Sequence, residues 1–152
     1  LARSRGLGDV YKRQIQGMGD GIFLRSSKKS NINYNKFNSL SFKILQAARV
    51  RVTSTDFISC PSCGRTLFDL QKTTAMIREK TDHLKGLKIG IMGCIVNGPG
   101  EMADADYGYV GSGKDKITLY RGQEVVKRAI NYEDGVNELI ELIKDDGNWI
   151  DP

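Results

Sequence analysis

All three cysteines of the chain fall in two short segments, Cys60-Pro-Ser-Cys63 and Gly93-Cys94-Ile-Val-Asn97-Gly-Pro-Gly-Glu101. The second segment closes on a carboxylate after a Gly/Pro turn. Three soft thiolates and one hard carboxylate suit an iron–sulfur cluster in which one iron is held differently from the rest. An iron with an exchangeable ligand can bind substrate as well as pass electrons. Two of the ligands come from one tight loop and the third from some thirty residues later, so an ordered fold must bring them together. Glu101 stands where a Gly/Pro turn would fold its carboxylate back toward the same metal. On spacing alone, Asp104 and Asp106 compete with it for that role.

Two other chemistries use a C-x-x-C pair. A redox dithiol would place Cys60 and Cys63 after a strand and at the opening of a helix, with a lowered thiolate pKa. That reading leaves Cys94 and the Asn-Gly-Pro-Gly-Glu turn unexplained. Structural zinc would need a fourth ligand, and the sole histidine, His83, is the residue that would complete a Cys₃His site. His83 is expected at the end of a surface helix, which favours an ordinary exposed histidine. The alternative function is therefore a non-catalytic zinc-binding interaction module. Gly108-Tyr-Val-Gly-Ser-Gly113-Lys114 imitates a phosphate-binding loop, but Asp115 stands where Ser or Thr would reach magnesium, and a strand pattern follows. We read it as a Gly-rich hairpin. One histidine leaves no Ser/His/Asp arrangement.

These groups need a framework, and 152 residues with 39% apolar and 27% charged content are enough for one packed domain. An odd number of cysteines argues against a disulfide framework and for a reducing compartment. The longest apolar run is far short of the ~20 residues of a membrane span. The net charge of +5 hides an asymmetry: residues 1–58 hold 11 Lys and Arg against 3 Asp and Glu, and residues 59–152 hold 12 against 15. The basic part carries no recognisable nucleic-acid motif and the chemical part is mildly acidic, so nucleic acid is not the expected partner.

The periodicities divide the chain into three parts. Residues 1–14 show no apolar period and read as a non-native or unstructured leader. In residues 15–58, a turn and short strand are expected over 19–24. A polar loop follows, and then an amphipathic helix ends near residue 49, with Phe37, Leu40, Ile44, Leu45 and Ala48 on one face. Residues 52–59 run extended to the first cysteine pair. From residue 59 onward, Leu67, Leu70, Thr74 and Ile77 fit a helix reaching about residue 80. Residues 88–96 fit a strand buried on both faces. Strands are expected over 107–110 and 116–120, and a strand or short helix over 123–130. Asn131 is expected to cap a last helix with the apolar stripe Val136, Leu139, Ile140 and Ile143, stopped by Gly147. The fold class is α+β, a mixed sheet with flanking helices.

Cys60-Pro-Ser-Cys63-Gly-Arg-Thr66, Gly93 through Glu101, Ala103-Asp-Ala-Asp-Tyr-Gly-Tyr-Val-Gly111 and the closing Trp149-Ile-Asp-Pro152 closely resemble the 4-hydroxy-3-methylbut-2-enyl diphosphate synthase family. The match is closest to the larger form of plastids and some bacteria, and it runs almost continuously over residues 57–152. The resemblance implies a reductase-like iron–sulfur domain and a [4Fe–4S] cluster ligated by Cys60, Cys63, Cys94 and Glu101. It further implies a two-electron reductive dehydration that opens 2-C-methyl-D-erythritol 2,4-cyclodiphosphate on the methylerythritol phosphate route to isoprenoids. Ferredoxin or flavodoxin would donate the electrons, and Asn97 would contact substrate. Bacterial cytoplasm or plastid stroma would be the location.

Members of this family begin with a (β/α)₈ barrel that binds the diphosphate. Here Gly19-Asp-Gly-Ile22 and the helix ending Ile44-Leu-Gln-Ala-Ala48 resemble only its last β/α unit. The resemblance thus implies the C-terminal cluster-bearing fragment of an enzyme that is a homodimer at full length, inactive without its barrel.

Overall fold

The computed structural model describes residues 12, 15–19, 21–24, 33–62, 64–66 and 68–152. It divides into two compact units, Leu1–Thr53 and Ser54–Pro152. In the first, α1 spans Tyr34–Ala47; the Asn33 side chain caps it, accepting from the Asn35 N–H at 3.0 Å. Leu45 alone on α1 is buried, and Leu40 and Phe42 are each 39% exposed. The chain turns out of the helix at Arg49, whose φ is 57°. Beyond the turn, the Gln46 Oε1 accepts from the Thr53 N–H at 3.1 Å. The strand expected over 19–24 does not form: residues 21–24 carry no strand ladder. The leader reading of residues 1–14 lies almost wholly outside the described residues.

The second unit is a five-stranded sheet in the order β1-β2-β3-β4-β5: Asp56–Ser59, Lys88–Met92, Tyr107–Gly113, Lys116–Arg121 and Glu124–Asn131. The β1–β2 and β2–β3 pairs are parallel, whereas β3–β4 and β4–β5 are antiparallel. The sheet is mixed and helices flank it, so the expected fold class holds. Helix α2 (Leu70–Thr81) makes the crossover from β1 to β2. The single-turn α3 (Gly98–Glu101) lies between β2 and β3, and α4 (Tyr132–Asp145) closes the chain.

Strand alternation sorts the core into two layers. Ile89, Ile91, Tyr107, Tyr109, Ile117 and Leu119 face α2 and α4, where Ile77, Leu139 and Ile143 are fully buried against them. Met92, Val110 and Tyr120 point to the other face and pack with Met102 and Ala105, which follow α3. Met102 lies flat across the sheet because β2 and β3 offer it glycines. A Cβ on Gly90 would stand 2.6 Å from the Met102 Cβ, and one on Gly108 would stand 2.4 Å from its Cε. This contact holds α3 and the loop around it against the strands.

Several expected boundaries move, each for a local reason. Helix α2 starts only at Leu70, because Asp69 caps it by accepting from the Lys72 N–H at 2.9 Å. Its inward threonine is Thr73, not Thr74; Thr73 Oγ1 donates to the Asp69 carbonyl and lies 2.9 Å from the Tyr132 hydroxyl. Strand β2 stops at Met92, four residues early, leaving Ile95 and Val96 44% and 63% exposed. Residues 124–131 resolve as strand, and the hairpin before them turns at Lys114-Asp115 rather than at Gly111–Gly113. Asn131 precedes α4, but its side chain makes no cap; it accepts instead from the Lys116 Nζ. Gly147 ends α4 at φ 72°, in the left-handed region that suits glycine. Among the described residues, no helix is long and apolar enough to cross a membrane.

Candidate metal centre

Parallel strands present their carboxyl ends to one side of a sheet, and ligands gather there in folds of this kind. Cys60 is the first residue after β1, and Cys94 lies two residues past the end of β2. The Cys60 N–H donates to the Ile91 carbonyl at 3.3 Å, extending the parallel ladder by one step. In return, the Gly93 N–H donates to the Cys60 Sγ at 3.3 Å. Both cysteines are half-buried free thiols. The chain leaves Cys60 through Pro61 and Ser62, with Ser62 at φ 64°, a strained value for a non-glycine residue. The Ser62 Oγ donates to the Thr66 Oγ1 at 3.3 Å. Thr66 is wedged over Gly93, where a Cβ would meet its Oγ1 at 2.3 Å. Cys63 itself lies outside the described residues.

Beyond Cys94 the chain folds into a tight turn. The Gly98 N–H donates to the Cys94 carbonyl at 3.2 Å, and Pro99 opens α3 at a position where its missing N–H costs nothing. The Glu101 N–H donates to the Asn97 carbonyl at 3.0 Å, completing the single helical turn. The Gly/Pro segment is thus a helix rather than a loose turn, and it carries Glu101 back toward the cysteines. Asn97 precedes α3, but its side chain makes no capping hydrogen bond.

These pieces enclose a cavity of about 150 Å³ whose walls include Cys60, Cys94, Glu101, Asn97, Arg65 and Met92. Among the described residues, no three acidic, cysteine or histidine side chains close on a single ion. The ligands of an iron–sulfur cluster in general stand apart around the cluster's own body, so donors spread around a cavity are compatible with one. Two half-buried cysteine sulfurs, one bearing an amide N–H, with an exposed carboxylate beside them are a donor set that suits an iron–sulfur group.

The competing candidates lie elsewhere. Asp106 immediately precedes β3 and its Oδ2 accepts from the Lys88 N–H at 2.8 Å, at the opposite end of the parallel strands. Asp104 is exposed and does not line the cavity. His83 follows the C-terminal end of α2, also at the far end of the sheet. There its Nε2 lies 2.8 Å from the Ile150 carbonyl and its ring meets Trp149 edge-on at 5.2 Å. The Lys114-Asp115 turn has Asp115 at φ 54° and leads into a strand, not a helix, so it is no phosphate loop. The residue given no role in the sequence reading is Arg65. Its only signal was its place two residues after Cys63.

The sequence pattern that defines the GcpE protein C-terminal domain matches residues 56–145. The chain is 58% identical over 136 residues to the 4-hydroxy-3-methylbut-2-en-1-yl diphosphate synthase (flavodoxin) of Chlorobaculum tepidum, covering 90% of this chain and 18% of that protein. It is 56% identical over 150 residues to the flavodoxin enzyme of Parabacteroides distasonis, covering 99% of this chain and 24% of the relative. It is 55% identical over 138 residues to the chloroplastic, ferredoxin form from Oryza sativa subsp. japonica, covering 91% and 18%. The chain spans about a fifth of the length of these curated relatives.

Proposed function

The chain belongs to the GcpE protein C-terminal domain family, and from that premise we propose that it is the cluster-bearing portion of a 4-hydroxy-3-methylbut-2-enyl diphosphate synthase. In this reading Cys60, Cys63, Cys94 and Glu101 hold a [4Fe–4S] cluster. The observation that supports it is the single cavity shared by Cys60, Cys94 and Glu101, from which His83, Asp104 and Asp106 are absent. When bound, the cluster supplies electrons together with a Lewis-acidic iron.

The chain's own residues prepare that chemistry. Gly93 places its N–H on the Cys60 sulfur, withdrawing charge from the thiolate that would bind iron. Helix α3 delivers Glu101 as the one oxygen ligand, the ligand type most easily exchanged. Asn97, whose amide is not spent on capping, is left to orient an incoming substrate group. The reaction assigned is a two-electron reduction of 2-C-methyl-D-erythritol 2,4-cyclodiphosphate with loss of water and opening of the ring. Flavodoxin or ferredoxin would supply the electrons, and the location would be bacterial cytoplasm or plastid stroma. Glu101 and Asn97 are exposed, as are Ile95 and Val96 beside Cys94. A surface of that kind is expected to be covered by the barrel of a longer, dimeric protein, and without it the chain is expected to show no turnover.

The test is anaerobic reconstitution of the 152-residue chain with iron and sulfide, followed by iron and sulfide analysis and visible absorption. Cluster content that drops when Glu101→Ala is introduced supports the reading. Tight stoichiometric zinc with no iron uptake overturns it.

A further inference from the structure

Among the described residues that line the cavity, Arg65 carries the sole positive side chain. We propose that Arg65 is a positioning residue that offsets the negative charge of the ligated cluster and so favours its reduced state. The inference rests on the cluster reading above and adds to it a residue outside the ligand set.

The charge balance sets the need. Three thiolates and a carboxylate outweigh the positive charge of an oxidised cluster core, so the assembly is anionic before reduction. One electron then enters from a low-potential donor, no bond forms or breaks, and the negative charge grows by one. Potentials of such centres respond to net charge, to hydrogen bonds on sulfur and to solvent exposure. The N–H of Gly93 supplies one hydrogen bond. Fixed positive charge is the remaining lever, and a guanidinium suits it because it stays protonated at any working pH and donates in a fork to a carboxylate.

The backbone around Arg65 is held on both sides. Ser62 Oγ is bonded to Thr66 Oγ1, and Thr66 is wedged against Gly93 at the end of β2. Arg65 therefore stands on a short loop pinned to the same strand end that leads to Cys94. Arg65 is exposed overall and is one of the residues that line the cavity. Its influence is accordingly moderate and weakens with added salt.

The experiment compares midpoint potentials of the reconstituted chain with those of Arg65→Gln, Arg65→Met, Arg65→Lys and a remote charge control, Lys85→Gln, at the far end of the sheet. Iron and sulfide content are measured on every sample. The expected result is a lower potential in both neutral variants at unchanged iron content, a potential near the parent's in Arg65→Lys, and no change in Lys85→Gln. The gap between parent and neutral variants should shrink at high salt. Neutral variants that hold a full cluster at the parent's potential overturn the inference while leaving the cluster reading intact. Should both neutral variants fail to hold iron, Arg65→Lys decides. Assembly at the parent's potential confirms a need for charge, whereas failure of this variant too assigns Arg65 to packing and overturns it. A parent chain that takes up no iron and sulfide overturns both readings.

Discussion

The Gly93 N–H and the Cys60 Sγ lie 3.3 Å apart, joining the end of β2 to the first residue after β1. This one hydrogen bond couples the sheet to the chemistry. Parallel pairing of β1 with β2 places Ser59 opposite Ile91, so the next residues on each strand emerge side by side. A cysteine sulfur is a weak acceptor, and an amide held by a strand aims at it without any side chain to order.

Gly93 therefore has two duties, and substitution should damage both. An added Cβ would collide with Thr66 Oγ1 at 2.3 Å and with its Cγ2 at 2.9 Å. For Gly93→Ala we expect a loss of about 1–3 kcal/mol of stability, the usual cost of overpacking. Because Thr66 anchors the loop that carries Cys60 and Arg65, iron content after reconstitution should fall as well. Urea unfolding and iron analysis on one preparation measure both effects. An alanine variant with full iron and unchanged stability would refute this account of the loop.

Asn97 offers the opposite case. An asparagine that caps a helix usually loses about 1 kcal/mol on substitution by alanine. Here the side chain makes no cap bond, so Asn97→Ala should change stability by less than about 0.5 kcal/mol and leave iron content intact. In the full-length enzyme the same change should lower turnover roughly 10- to 100-fold, if the amide orients substrate. Normal turnover in that variant would remove Asn97 from the site.

How much of this could be read from residues alone depended on what the signal was local to. The buried run of β2 is local and was legible, as was the meeting of Cys60 with Cys94; Cys63 lies outside the described residues. The carboxylate was not, because Glu101, Asp104 and Asp106 lie within six residues and differ only in where the fold turns them. Asp106 is drawn to Lys88 by the register that sets Ile89 against Tyr107, a contact between segments eighteen residues apart. Likewise, the apolar pair Ile95 and Val96 reads as more strand, yet both belong to the turn that precedes α3. Arg65 offered only its place two residues after Cys63; the role proposed for it rests on the cavity it lines. The short strand expected near residue 22 is not seen among the described residues, because strand formation depends on pairing with a distant segment and not on local pattern alone.

His83 separates the zinc reading from the cluster reading by a simple substitution. Its ring is engaged by the Ile150 carbonyl and by Trp149, at the far end of the sheet from the cysteines. His83→Ala should leave metal content unchanged and cost about 0.5–1.5 kcal/mol, the usual worth of one hydrogen bond. The C-terminal residues should also exchange amide hydrogens faster in this variant. Metal lost on that single change would restore zinc as the leading alternative.

The last prediction concerns acid. At the end of α4, Asp146 Oδ2 accepts from Arg121 Nε at 2.8 Å and from the Tyr107 hydroxyl at 2.9 Å, while Asn148 donates to that hydroxyl at 2.8 Å. The Asp146 carboxyl is held below the usual carboxylate range, first by its hydrogen bond from Arg121 and then by Tyr107, against partial desolvation. A depressed carboxylate binds its proton more weakly in the folded state than in the unfolded one. Its contribution is therefore complete above the usual carboxylate range and disappears as pH falls through the folded value. Urea midpoints taken between about pH 6 and pH 3 should decline for the parent and decline less steeply for Asp146→Asn, which starts lower at neutral pH. Tyr107 and Arg121 belong to β3 and β4, so the network fastens the last helix to the sheet, away from the cysteine cavity. Cluster content at neutral pH should consequently be the same in Asp146→Asn as in the parent. A variant whose acid limb parallels the parent's would show that this clamp plays no part in acid unfolding.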